Sequence, residues 1–280
     1  MPIYEQGYRR WEARGPLRSI RFWPITREAL ALILAKRAFL GLLVLVWLPF
    51  VFRVIQVYVV TRFPEAGRLL PVDGRLFGEF LNQQSGLSFL LSIFGGAGLI
   101  ANDLRTGAIL VYLSRPLTRR DYVIGKLSVL LLLNYSATLV PALLLYGLAL
   151  GLAPELFLKW SLAWIAPMIV LHATILSLVV SLVALAISSL SRSARVSGLA
   201  FMGVIVGLEI VRGVLVGILD RPEAQVLSLQ NSLRMVGNLL FGIAEGSAVP
   251  TAYPPLLLIA VAAGCLAILR SRVRAVEIVR

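Results

Sequence analysis

Six runs of about twenty mostly apolar residues constrain this chain more than any other feature: 39–60, 81–101, 127–150, 160–187, 197–219 and 249–269. Each is long enough, at about 1.5 Å per residue, to cross about 30 Å of hydrocarbon as a helix. The composition agrees. Of the 280 residues 59% are hydrophobic and 15% charged, with a mean hydropathy of +0.87, against about 45–50% and about 25% in soluble domains. One ordinary soluble core, a disordered chain and a disulfide-rich secreted module are all excluded. A single cysteine, Cys265, forms no intramolecular disulfide, and a single histidine, His172, leaves no His/Cys metal cluster. The fold class is therefore an all-α integral membrane protein with six transmembrane helices in residues 39–269.

The net charge of +13 is a matter of topology. With the N-terminus in the cytoplasm, the inner segments 1–38, 102–126, 188–196 and 270–280 hold nineteen Lys and Arg and the outer segments hold six. That bias follows the positive-inside rule and places both termini in the cytoplasm. Bases spread over several short loops do not form a nucleic-acid surface. The first 24 residues carry five arginines and no apolar run of a signal peptide. Tyr4, Tyr8 and Trp11 recur at helical spacing beside arginines, Gly15-Pro16 breaks the run, and Thr26 is placed to cap a helix containing Leu30, Ile33 and Leu34. Aromatic and basic residues together suit the headgroup level, so 1–38 is expected to form an interfacial elbow before the first span; a loose basic arm over 1–15 is the alternative. Residues 270–280 form a basic cytoplasmic tail.

Between the second and third spans lies the most informative stretch, residues 102–126. Ala108, Ile109, Leu110, Val111, Tyr112 and Leu113 make a short apolar piece, stopped by Pro116. Thr118 with Asp121 three residues on has the form of a capping box that starts the third helix. A short apolar helix offered to the cytoplasm needs a partner groove. From Ser114 to Lys126 the run is S-R-P-L-T-R-R-D-Y-V-I-G-K, preceded by Asp103 and Gly107. This stretch resembles the cytoplasmic segment of ABC-2 type transporter permeases, and the six-span plan with an elbow is similar too. The resemblance implies that two permease chains form a pore above two separate ATPase chains, with the short helix seated in a cleft of the ATPase. Asp103, Arg105, Ala108, Ile109, Leu110, Val111, Tyr112, Leu113 and Arg115 would then form the coupling contact, with Arg192 and Arg195 as a minor one. It further implies a second copy of the chain as partner, with a dimer seam through the first and fifth spans. No G-x-x-x-x-G-K-[ST] occurs in the chain, so ATP and its Mg²⁺ are expected on the partner ATPase.

Three ionisable residues lie deep within spans: Arg53, Glu209 and Arg212. Such groups are costly and face a partner or water. Glu209 and Arg212 are three apart and share a helix face; a Glu209–Arg53 pair and a Glu209–Arg212 pair are both open, and a place on a substrate pathway is the alternative. Gly203 and Gly207 form a G-x-x-x-G that permits close helix approach, within the chain or across a dimer. His172 is expected to hydrogen-bond a neighbouring helix, and Pro141 and Pro167 to kink theirs. Asn82, Gln83, Gln84, Ser177 and Ser181 are the few polar residues available to line a path.

The outer segment before the last span carries Val226, Leu229, Leu233, Val236, Leu240 and Ile243 at helical spacing. It is too short and polar for two spans, so a re-entrant or surface hairpin is expected, with Gly237, Gly242 and Gly246 as breaks. Against the permease of an ATP-driven exporter stand a secondary transporter, which would want several buried carboxylates, an intramembrane enzyme, which would want a nucleophile relay or metal site, and a membrane scaffold. The coupling-like loop favours the first. A prokaryotic inner membrane is the expected location.

Overall fold

The computed structural model describes residues 22–63, 73–108, 118–152, 163–218, 220–243 and 249–272. Every regular element among them is helical: α1 (Trp23–Leu34), α2 (Arg37–Arg62), α3 (Gly74–Thr106), α4 (Arg119–Ala137), α5 (Leu139–Leu152), α6 (Ile165–Leu190), α7 (Ala194–Gly217), α8 (Leu229–Leu240) and α9 (Tyr253–Arg272), with a 3-10 turn at Pro222–Leu227. Six candidate spans are long and apolar enough to cross a membrane: α2, α3, α4 with α5, α6, α7 and α9. The expected order of spans is therefore present. α6 sits at the centre, with 67% of its most apolar window buried; α2 and α7 lie outermost, at 11% and 6%.

The second span is longer than its apolar run. At 33 residues, α3 extends about 50 Å and overshoots the hydrocarbon. It starts at Gly74, where the Asp73 carboxylate accepts from the backbone N–H of Arg75 at 2.9 Å and of Leu76 at 3.4 Å. It continues through the polar run 82–85 because each polar side chain finds a partner. Asn82 Nδ2 donates to Asn238 Oδ1 (3.2 Å), Gln84 Nε2 to the Val46 carbonyl (3.1 Å) and Ser85 Oγ to the Asn82 carbonyl (2.7 Å).

The prolines act differently from one another. Pro141 lies just past a break at Thr138 that divides the third span into α4 and α5. Pro167 is the third residue of α6, where no intrahelical N–H is needed, so it opens that helix instead of kinking it. Pro49 lies inside α2 and removes the donor for the Leu45 carbonyl; the next carbonyl, Val46, is the one that accepts from Gln84.

A buried polar knot joins the second, third and fourth spans. Asn134 Nδ2 reaches Ser92 Oγ at 3.1 Å and Ser181 Oγ at 3.2 Å, and Thr138 Oγ1 lies 3.3 Å from Ser177 Oγ. Ser177 and Ser181 are thus used between helices and do not line a path. Interhelical hydrogen bonds of this kind hold spans together where apolar burial alone discriminates little.

At the opposite end from Asp103, the outer segment folds into α8. The Ser228 hydroxyl caps it by accepting from the Asn231 N–H (3.2 Å), while Asn231 Nδ2 and Ser232 Oγ donate to the Gln225 and Val226 carbonyls, both at 2.7 Å. Its buried face includes Leu229, Leu233, Val236 and Asn238. The Asn82–Asn238 contact lies eight residues into α3, and His172 seven into α6, so α8 dips about 10–12 Å between these spans. Gly242 ends it with φ +65. Gly237 is no break. It lies mid-helix against the His172 ring, where a Cβ would come 2.9 Å from Nε2 and 3.0 Å from Nδ1; Gly246 lies outside the described residues. His172 also meets Phe241 edge-on, ring centroids 6.1 Å apart. Gly237→Ala should therefore destabilise by about 1–3 kcal/mol through overpacking. Adding His172→Ala should restore part of that loss in thermal unfolding of the detergent-solubilised chain. Strict additivity of the two changes would show that they do not share this contact.

Candidate functional site

The two helices that flank the short loop after the second span are clamped at its base. On one side α3 ends at Thr106, and Gly107 takes the left-handed conformation (φ +70) that terminates a helix. On the other, Thr118 and Asp121 make the capping box: the Asp121 N–H donates to Thr118 Oγ1 (3.2 Å) and the Thr118 N–H to Asp121 Oδ2 (3.0 Å). One turn inward the two helices meet directly. Lys126 Nζ donates to Asp103 Oδ2 at 2.7 Å, and Tyr122 OH donates to the same oxygen at 2.8 Å. The ammonium also lies 5.6 Å from the centre of the Tyr122 ring. The Lys126 side chain is 6% exposed and that of Asp103 15%, so the pair is largely out of water.

α1 completes the clamp. Thr26 is fully buried and does not cap α1; Pro24 occupies the first turn instead. Thr26 Oγ1 donates to the Gly125 carbonyl at 3.0 Å. A Cβ on Gly125 would stand 3.2 Å from Ile25 Cβ and from the Phe22 carbonyl, so a larger residue there would have to push α1 back from α4. Tyr122, Gly125 and Lys126, which end the sequence run singled out above, thus bind α1 and the second and third spans into one unit.

A second tie enters from the fourth span. Ser188 Oγ accepts from the backbone N–H groups of Ile100 and Ala101, both at 3.1 Å, and donates to the Ala97 carbonyl at 2.8 Å. One hydroxyl therefore engages a single turn of α3, just inward of Asn102 and Asp103 and beside Gly96 and Gly98. Both glycines are close-contact positions: their Cβ atoms would meet Leu130 and Ala184 near Gly96, and Asn102 and Ala194 near Gly98.

The residues expected to touch a partner divide as follows. Asp103 turns inward to Lys126 and Tyr122. Arg105, Arg192 and Arg195 are exposed, and Ala108 follows the Gly107 turn, half-buried. Ile109, Leu110, Val111, Tyr112, Leu113 and Arg115 lie outside the described residues. The three intramembrane charges form two separate groups. Arg53 pairs with Glu79 (3.5 Å) and donates to Gln56 (2.8 Å) and Gln83 (3.4 Å). Arg212 pairs with Glu209 on its own helix, Nε to Oε1 2.9 Å. Of the two options open for Glu209, the structure takes the intrahelical one. Gly203 and Gly207 face open space, with no atom within 4 Å of where a Cβ would sit; Gly198 instead packs against Ala97 and Ile93 of α3.

The clamp residues were missed as such in the sequence, where Tyr122, Gly125 and Lys126 stood only as parts of a run. The lysine two turns into the third helix and the aspartate one turn before the end of the second were both visible, but not their pairing. No curated protein matches the chain. A family model described as ABC-2 family transporter protein matches residues 23–269, which runs from the start of α1 into α9. The chain therefore belongs to the ABC-2 family of transporter proteins.

Proposed function

We propose that the chain is the permease subunit of an ATP-driven exporter of a prokaryotic inner membrane, with the Asp103 clamp at its cytoplasmic face. Two copies of the chain would pair through the open faces of α2 and α7, where Gly203 and Gly207 leave room for close approach. Two ATPase chains, which carry the ATP and Mg²⁺, would seat against the loop between Gly107 and Thr118. The observation that carries this reading is the clamp itself. A loop that must pass on a push from a soluble partner needs a stiff base, and Asp103, Tyr122 and Lys126 supply one that also engages the elbow through Gly125. Asp103 then serves as a positioning residue, while Arg105 and Arg192 are exposed to the partner.

The test is a mild-detergent pull-down of tagged chain from native membranes. A co-purifying ATPase, lost at least about tenfold on Arg105→Glu with Arg115→Glu, is expected, since reversing charges at an interface costs several kcal/mol. Retention of a homo-oligomer free of any ATPase in several detergents would overturn the reading.

A further inference from the structure

Between α1, α3 and α7 lies a cleft of about 800 Å³, separate from the polar knot and from α8. We propose that it binds an anionic phospholipid of the leaflet at the Asp103 end of the bundle. Taking that leaflet as cytoplasmic rests on the orientation argued above; the binding chemistry does not.

The cleft is amphipathic along the membrane normal. At its end stand Lys36, which precedes α2, Arg195 in the first turn of α7, and the Asn102 side chain. Lys126 and Asp103 also line this end but neutralise one another at 2.7 Å. What remains is two exposed cations, Lys36 and Arg195, and among the described lining residues no acid other than Asp103, which Lys126 already engages. Further into the bilayer the walls are apolar: Phe94 and Leu199 are 64% and 70% exposed, and Leu32 of α1, 64% exposed, lines the same cleft. Gly95, Gly98 and Gly198 lie along the cleft.

The distances suit a lipid. Phe94 lies eight residues inward of Asn102 on α3, and Met202 seven inward of Arg195 on α7, so the apolar walls run about 10–12 Å from the basic end. A phosphate at the headgroup level would meet Lys36, Arg195 and the Asn102 amide, while an acyl chain lay along Leu32, Phe94, Leu199 and Met202. A free phosphate or a soluble anion would use the basic end alone and leave those walls bare. A zwitterionic lipid would fill the walls but give the two cations no net charge to neutralise.

The experiment is native mass spectrometry of the full chain, purified in mild detergent and offered phosphatidylglycerol and phosphatidylcholine in equal amounts. The chain should retain phosphatidylglycerol in preference. Lys36→Ala with Arg195→Ala should cut that retention by roughly thirtyfold and leave phosphatidylcholine unchanged, on about one kcal/mol for each basic residue at a membrane surface. Lys36→Arg with Arg195→Lys should retain it, and both cations are exposed, so folding is preserved in either pair. Leu199→Trp with Met202→Trp should lower retention of both lipids by filling the apolar wall. Glycerol phosphate added in excess should fail to compete; effective competition would assign the site to a soluble anion instead. Equal phosphatidylglycerol retention in the wild type and the double alanine variant overturns the proposal. No ATPase enters the measurement, so its outcome is independent of the permease reading, and labelling of Lys36→Cys from either side of the membrane reports the leaflet separately.

Discussion

Replacing Lys126 with Met should cost the folded chain about 3–5 kcal/mol, the largest loss expected from any single change at the clamp. The side chain is nearly buried, and its removal leaves the Asp103 carboxylate in a largely dry site with the Tyr122 hydroxyl still donating to it. The cost is that of an uncompensated charge more than of one lost contact. Asp103→Asn should cost less, because an amide can still accept from Tyr122, although the ammonium then loses its counter-charge. The reversed pair, Asp103→Lys with Lys126→Asp, should recover part of the loss. Arg75→Met offers the comparison. Arg75 pairs with Glu79 at 3.0 Å, but their side chains are 66% and 45% exposed, and such pairs contribute about 1 kcal/mol at most. Thermal unfolding of each variant in one detergent would rank them. Equal losses for Lys126→Met and Arg75→Met would mean that water reaches the clamp and that it does not stiffen the loop. A functional consequence follows from position. Because the pair spans the loop base, a charge-reversed chain that folds should bind its partner yet transmit less of its motion.

The spans were legible because a helix that crosses a membrane is specified by its own run of apolar residues. The Thr118–Asp121 capping box was legible because both partners lie within one turn. What escaped was long-range pairing. Asp103 and Lys126 are 23 positions apart and meet only because α3 and α4 pack side by side, which no local pattern records. The polar residues within the spans show the same limit. Ser177, Ser181, Asn82, Gln83 and Gln84 could equally have faced a water-filled path or a neighbouring helix, since both uses call for the same side chains. The structure gives each of them a helix-borne partner. α3 begins seven residues earlier than its apolar run because Asp73 caps it and Leu76, Phe77 and Phe80 are buried along the added turns. Matching depth allows Arg53 to pair with Glu209, but Glu79, on the α3 extension outside the apolar run, is the acid it meets.

Ser188→Val should be the second severe substitution, at about 2–6 kcal/mol, and the pair of variants Val and Thr at this position separates its two causes. Both add bulk at a fully buried site, where overpacking costs about 1–3 kcal/mol. Threonine keeps the hydroxyl that accepts from Ile100 and Ala101 and donates to Ala97; valine removes it. The difference between the two, about 1–3 kcal/mol, therefore reports the bonds into α3 alone. Ser189→Ala is the neighbouring control. That serine is buried as well, but its hydroxyl donates at 2.6 Å to Ala186 on its own helix, so its loss should be small. Amide hydrogen exchange gives a local readout that a general loss of packing would not imitate. Ile100 and Ala101 should exchange faster in Ser188→Val than in Ser188→Thr, by about ten- to a hundredfold, if opening of this turn carries the energy difference. The turn stands between the glycine-rich middle of α3 and Asp103, so a chain loosened there keeps its clamp but loses its tie to the fourth span. Such a variant should bind a partner at the loop as the parent does, while movement of that loop no longer reaches the centre of the bundle. Wild-type exchange rates at both amides in Ser188→Val would show that α3 closes this turn with its own ladder and that the fourth span does not hold it.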